Sequence, residues 1–132
     1  MGTTTIEYRN LPGTAAAVGR SGLHCVIADR PEGRTGGMGL GFNGGELLAL
    51  ALGGCFCNDV RYVADEMGVE VEDLRVSVEI DFDGEPTLAT AARMTAQCTL
   101  ADGSDATSLL DQAKARCTIA NSLRAGVPVS ID

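Results

Sequence analysis

Five cysteines and a single histidine are the residues of this 132-residue chain most able to do chemistry beyond acid–base exchange. An odd number of cysteines at irregular spacing is not a disulfide framework. It leaves three roles open: metal ligand, redox-active thiol or inert core residue. Cys55 and Cys57 form a C-x-C pair, but residues two apart on a helix are about 200° apart and point to nearly opposite sides. They can neither share a metal nor bridge each other. Zinc needs three or four convergent ligands, and His24 belongs to a different segment with no ligand-spaced neighbour. No metal and no cofactor is therefore expected. Cys25 and Cys98 sit on the inward face of alternating strands in this reading, where a free cysteine acts as a small buried hydrophobe. Cys55 and Cys117 remain, each either inert or one half of a working dithiol, because reactivity requires an exposure and a thiol ionisation that spacing does not reveal. Asp59, one turn after Cys55, works against a thiolate if it points the same way, so something cationic has to offset it.

The element that carries Cys55 has both ends marked. Asn43 can cap a helix and Glu46, three residues later, can reach back to it as in a capping box. A first-turn carboxylate also suits the positive end of the helix dipole. Gly68 stands where a left-handed residue ends a helix. From Leu47 to Cys57 the sequence holds no charge, which predicts burial all round; beyond it Val60, Val63 and Met67 keep one apolar line. Gly53 and Gly54 cost about 1 kcal/mol each against Ala inside a helix. Their presence predicts that another backbone or a substrate comes close to Cys55.

Around this helix the sequence reads as mostly antiparallel strands. Thr3–Arg9, Thr14–Val18 and Leu23–Ala28, separated by turn residues, form a small meander. Two clean alternations follow the helix: Leu74, Val76, Val78, Ile80 and Phe82, then Ala92, Met94, Ala96, Cys98 and Leu100. A helix starting at Ser104 or Asp105 runs to Arg116, Cys117 follows at its end, and Asn121–Ala125 makes another helical turn. Val127–Ile131 reads as a terminal strand, placed at an edge by Pro128. The whole, residues 1–132, is one α+β domain.

Ten Lys and Arg against eighteen Asp and Glu give a net charge of −8, which suits neither a phosphate backbone nor an anionic bilayer. No nucleic acid and no membrane is expected as a partner. The N-terminus lacks the pattern of a signal peptide, and the apolar run Leu47–Cys57 is too short to span a bilayer, so a cytoplasmic location is expected. With 45% hydrophobic but only 4% aromatic residues, the core must be aliphatic and thin, which leaves room for a partner subunit.

Glu46-Leu-Leu-x-x-Ala-Leu-Gly-Gly-Cys55, the Gly36-Gly37-Met38-Gly39 run before it and Ala115-Arg-Cys-Thr-Ile-Ala-Asn-Ser-Leu123 together resemble the OsmC/Ohr superfamily, osmotically inducible protein C and organic hydroperoxide resistance protein. Order and spacing agree from about Leu23 onward. The resemblance implies two curved antiparallel sheets around a long central helix in an intertwined homodimer. It also implies a peroxiredoxin-like, cofactor-free peroxidase for organic hydroperoxides under oxidative stress. Cys55 would be the peroxidatic thiol, Cys117 the resolving thiol, and an external dithiol such as a lipoyl group the reductant. The family role implied for Glu46 is to hold a catalytic arginine. On one straight helix, however, Glu46 lies about 13.5 Å from Cys55 and about 180° round, so it would act across the dimer interface or through a bend at Gly53-Gly54. The same resemblance places an activating arginine in the N-terminal strands. The best register puts Thr14 there, with Arg9, Arg20, Arg30 and Arg34 nearby. Two other readings stay open: a non-catalytic relative binding a small apolar ligand near Gly53-Gly54, and a dithiol redox sensor.

Overall fold

The computed structural model describes residues 2–132, and the chain divides into two compact units after Leu47. In the first unit β1 (Glu7–Asn10), β2 (Ala17–Ser21) and β3 (His24–Ala28) form an antiparallel sheet in that order. The first strand starts later than Thr3–Arg9, the second keeps the length of Thr14–Val18 but is shifted to Ala17–Ser21, and the third starts one residue later than Leu23–Ala28. Thr14 lies in the turn before β2, its hydroxyl donating to the Leu11 carbonyl at 2.8 Å and accepting from the Ala16 amide at 3.1 Å. Cys25 is exposed rather than core, and Leu23 lies in the turn, fully exposed. A period of two separates the faces of a strand but does not say which face is covered.

One buried carboxylate organises the loop that follows. Asp29 accepts the amides of Leu40 at 3.0 Å, Arg30 at 2.8 Å and Met38 at 3.1 Å, which fixes the Gly36–Gly39 run around it. Those amides, Leu40's foremost, and the Arg30 guanidinium hold the Asp29 carboxyl below its usual value against the opposing effect of burial. A depressed value means the stabilisation is complete above the ordinary carboxylate pKa of about 3.9 and is lost as pH falls through the lower folded value. Hydrogen-exchange protection of the Met38 and Leu40 amides is therefore expected to fall below that ordinary value. In Asp29→Asn the protection should be weaker throughout and no longer titrate; an unchanged titration would remove Asp29 as its cause.

The long helix α1 (Gly44–Met67) begins and ends as its sequence dictates. Asn43 Oδ1 accepts the Glu46 amide at 2.8 Å while Glu46 Oε1 accepts the Asn43 amide at 3.0 Å, a reciprocal capping box worth about 1 kcal/mol. Gly68, at φ +68°, closes the other end. Its amide donates to Asp65 O and that of Val69 to Ala64 O, the double bond of a Schellman motif.

In the second unit, β4 (Val71–Asp83) and β5 (Leu88–Leu100) make a long antiparallel hairpin. Its register sets Leu74 opposite Cys98, Val76 opposite Ala96 and Val78 opposite Met94, so both alternations put their apolar members on one face. The ends of that face, Phe82 and Ala92, are exposed. The apolar face and helix α2 (Thr107–Arg116) enclose Phe56, Val60, Val63 and Ala64 of α1 together with Leu100, Leu109, Ala113 and Cys117. Helix α2 starts at Thr107, later than Ser104 or Asp105, because Asp105 turns its carboxylate onto the Thr107 amide and hydroxyl. A short helix, α3 (Thr118–Arg124), follows.

Two expectations about burial are corrected. Only one face of α1 is buried in this chain; Leu50 and Ala51 are exposed, since a hairpin and one helix cover only one side of a cylinder. Residues 127–131 form no strand, and Val129 and Ile131 are almost fully exposed. By length and hydropathy alone α1 would pass for a membrane span, but its Phe56–Val60–Val63 face is core.

Candidate functional site

Cys55 and Asp59 are four positions apart, one above the other on a helix face, and the structure uses that placement. The Cys55 thiol donates to Asp59 Oδ2 at 3.7 Å. Cys117 arrives from a distant part of the sequence. It terminates α2 and opens α3, with extended backbone at φ −62°, ψ 103°, and its carbonyl accepts the Asn121 amide at 2.9 Å. That joint is held by Leu109 and Ala113, which bury one face of α2 against the core containing Val60 and Val63 of α1. As a result one carboxylate oxygen of Asp59 and the two sulfurs of Cys55 and Cys117 all lie within 4.8 Å of one another.

The two thiols differ in setting. Cys117 is 1% exposed, and burial pushes its thiol above the ordinary value. The Ala120 amide opposes that shift in part, while Cys55 and Asp59 reinforce it. Cys55 is only half buried, so it is the thiol of the pair that meets solvent. A sulfur–sulfur bond is about 2.05 Å long, so bridging them requires the two sulfurs to close up from a separation of at most 4.8 Å.

Arg116, which precedes Cys117, feels the charge of Asp59. Its guanidinium is committed to Glu66 in a two-pronged pair of 2.7 and 2.8 Å. Glu46 is engaged with Asn43. Cys57 is half buried on α1 and does not join the Cys55 group, as the 200° spacing on a helix requires. Cys98 is half buried on the apolar face of β5, its thiol pushed up by burial.

The glycine pair separates into two roles. A Cβ on Gly53 would meet Val78 Cγ2 at 3.1 Å, so this glycine lets β4 approach α1 closely. A Cβ on Gly54 would meet nothing within 4 Å. The second unit also holds an apolar groove of about 610 Å³ whose walls include Leu52, Phe56, Val78, Met94, Cys117 and Leu123. It adjoins Cys117 rather than Cys55. The sequence suggested a ligand beside Gly53-Gly54 but not this groove, because its walls come from five separate elements: α1, β4, β5, α2 and α3. It missed Asp59 as a member of the group for a smaller reason: the i, i+4 spacing was visible, but whether the side chains met was not.

Comparison with known proteins bears on the chain as a whole. The family described as OsmC-like protein matches residues 36–132. No curated protein matches. Among solved structures, an OsmC-like protein from Mycoplasma pneumoniae is similar at 17% identity and TM-score 0.76, over 96% of this chain and 89% of that one. An organic hydroperoxide resistance protein OsmC from Legionella pneumophila is similar at 21% identity and TM-score 0.64, over 94% and 90%. An organic hydroperoxide resistance protein from Elizabethkingia anophelis is similar at 16% identity and TM-score 0.65, over 95% and 91%. At such identities the likeness is one of fold.

Proposed function

This chain belongs to the OsmC-like protein family, and on that premise we propose that it is a thiol-dependent hydroperoxide reductase acting on organic peroxides. The observation that carries the reading is the convergence of Cys55 and Cys117, with Asp59, inside 4.8 Å. Two of the solved relatives are named as organic hydroperoxide resistance proteins, which agrees with it. Cys55 gives up its thiol proton and, as thiolate, attacks the terminal hydroxyl oxygen of R–O–O–H; the O–O bond breaks, the alkoxide leaves and takes up that proton as R–OH, and Cys55 becomes a sulfenic acid. Cys117 sulfur then attacks the Cys55 sulfur, the S–O bond breaks, and water leaves with the Cys117 proton. An external dithiol, such as a lipoyl group, takes the oxidation away by exchange. Burial of Cys117, 1% exposed, suits the second role, because it shields that sulfur from direct oxidation by peroxide.

Intact mass after one equivalent of cumene hydroperoxide tests the scheme. A loss of two hydrogens per chain, mapped to Cys55–Cys117, is expected; a free Cys55 after peroxide would remove the reading. In Cys117→Ser the cycle should stall, with Cys55 trapped as a sulfenic acid by a carbon nucleophile and steady turnover down by at least about a hundredfold. Unchanged turnover would strip Cys117 of the resolving role.

The protein is further taken to act as a homodimer, a reading supported by exposed Leu50 and Tyr62 on α1. A monomer by light scattering at micromolar concentration would overturn it. Five free thiols agree with a reducing, cytoplasmic setting. The groove beside Cys117 supports a second reading, a binder of small apolar ligands. Binding of a non-oxidising apolar probe without any peroxide turnover would favour it.

A further inference from the structure

We infer that reduced Cys55 and Cys117, together with Asp59, form a three-ligand site for a thiophilic divalent cation of the zinc class. Around a tetrahedral zinc with Zn–S near 2.3 Å and Zn–O near 2.0–2.2 Å, neighbouring sulfur and oxygen ligands are about 3.5 Å apart and two sulfurs about 3.8 Å apart. Cys55 Sγ and Asp59 Oδ2 stand 3.7 Å apart, and no two of the three ligand atoms are separated by more than 4.8 Å. A cation enters that triangle with side-chain adjustments of about an ångström.

The supports are rigid. Cys55 and Asp59 share one face of α1, and Cys117 is fixed at the α2–α3 joint by its burial in the core. Among the described residues no other set of three His, Cys, Asp or Glu converges this way. Two sulfurs select zinc or cadmium over magnesium or calcium, which prefer oxygen. Two thiolates and a carboxylate carry three negative charges, so a divalent ion leaves one. Three protein ligands leave a fourth position for water or an external ligand. The C-x-C spacing of Cys55 and Cys57 argues against a metal, but the site is built from a different pair.

The cation site and the peroxidase cycle compete for the same sulfurs. A bound cation occupies both thiols, and a Cys55–Cys117 disulfide removes both sulfur ligands. That competition rests on the proposed peroxidase reading; the binding itself does not.

Zinc competition against a chromophoric chelator tests the site, with the reduced chain carrying Cys25→Ser, Cys57→Ser and Cys98→Ser so that no other thiol contributes. One zinc per chain is expected, with cadmium giving thiolate-to-metal absorbance. Asp59→Asn in the same background should weaken zinc by at least about tenfold, with circular dichroism confirming that the fold persists. No stoichiometric zinc in the triple variant, or an Asp59→Asn affinity equal to its parent, overturns the proposal. The two readings are separable by result. Zinc binding without peroxide-driven disulfide supports the cation site and defeats the peroxidase. Disulfide formation without zinc binding does the reverse.

Discussion

Cys55→Ser should lose at least about three orders of magnitude in cumene hydroperoxide turnover, because it removes the proposed nucleophile itself. Cys57→Ser should stay within about twofold of the parent, since residues two apart on a helix point to nearly opposite sides. The pair of variants separates a specific peroxidatic thiol from general thiol oxidation, in which either cysteine would serve. Coupled assay with a small-molecule dithiol reads the rate. Retention of parental turnover in Cys55→Ser, or its loss in Cys57→Ser, would move the chemistry elsewhere. The settings of the two thiols support giving the proposed peroxidatic role to Cys55. It is half buried and its sulfur faces Asp59, whereas Cys117 is closed into the core with its thiol pushed up by burial.

Phe56→Ala is expected to cost about 3–5 kcal/mol of stability, the usual range for deleting a buried phenyl ring. The ring is 1% exposed and belongs to the cluster shared by α1, the β4–β5 hairpin and α2. Few aromatic side chains are available to this protein, so no neighbouring ring can collapse into the space. Urea unfolding under reducing conditions and at fixed protein concentration measures the change. A loss below about 1 kcal/mol would mean that the second unit is not held by this cluster. The expected cost reaches chemistry as well. Phe56 follows Cys55 on α1 and also walls the groove beside Cys117, so the weakened variant should bind an apolar probe differently even where it remains folded.

Local chemistry in the sequence determined where elements begin and end. Asn43 and Glu46 meet as a capping box, and Gly68 ends α1 with the left-handed backbone that glycine adopts most easily. The alternation from Leu74 to Ile80 and from Met94 to Leu100 names the face of the hairpin that is buried. Such signals are legible because each depends on residues within one or two turns of one another. The two cysteine motifs were legible as well, as short fixed strings and in the right order for the family.

Other features depend on what lies across a gap. Period-two spacing placed Cys25 on one strand face but could not tell whether anything covers that face, and it is exposed. An uncharged Leu47–Cys57 suggests burial all round, yet burial belongs to the neighbours, and here they cover one side. Residues 127–131 have strand-forming side chains, yet they pair with no strand in the structure. The candidate site belongs to the same class. That Asp59 lies one turn beyond Cys55 is written in the sequence; that the α2–α3 joint brings Cys117 to them is not. This meeting is decided by the packing of Leu109 and Ala113 in the core with Val60 and Val63. Helix spacing tells each residue which way it faces, whereas only tertiary packing sets the distance to what it faces.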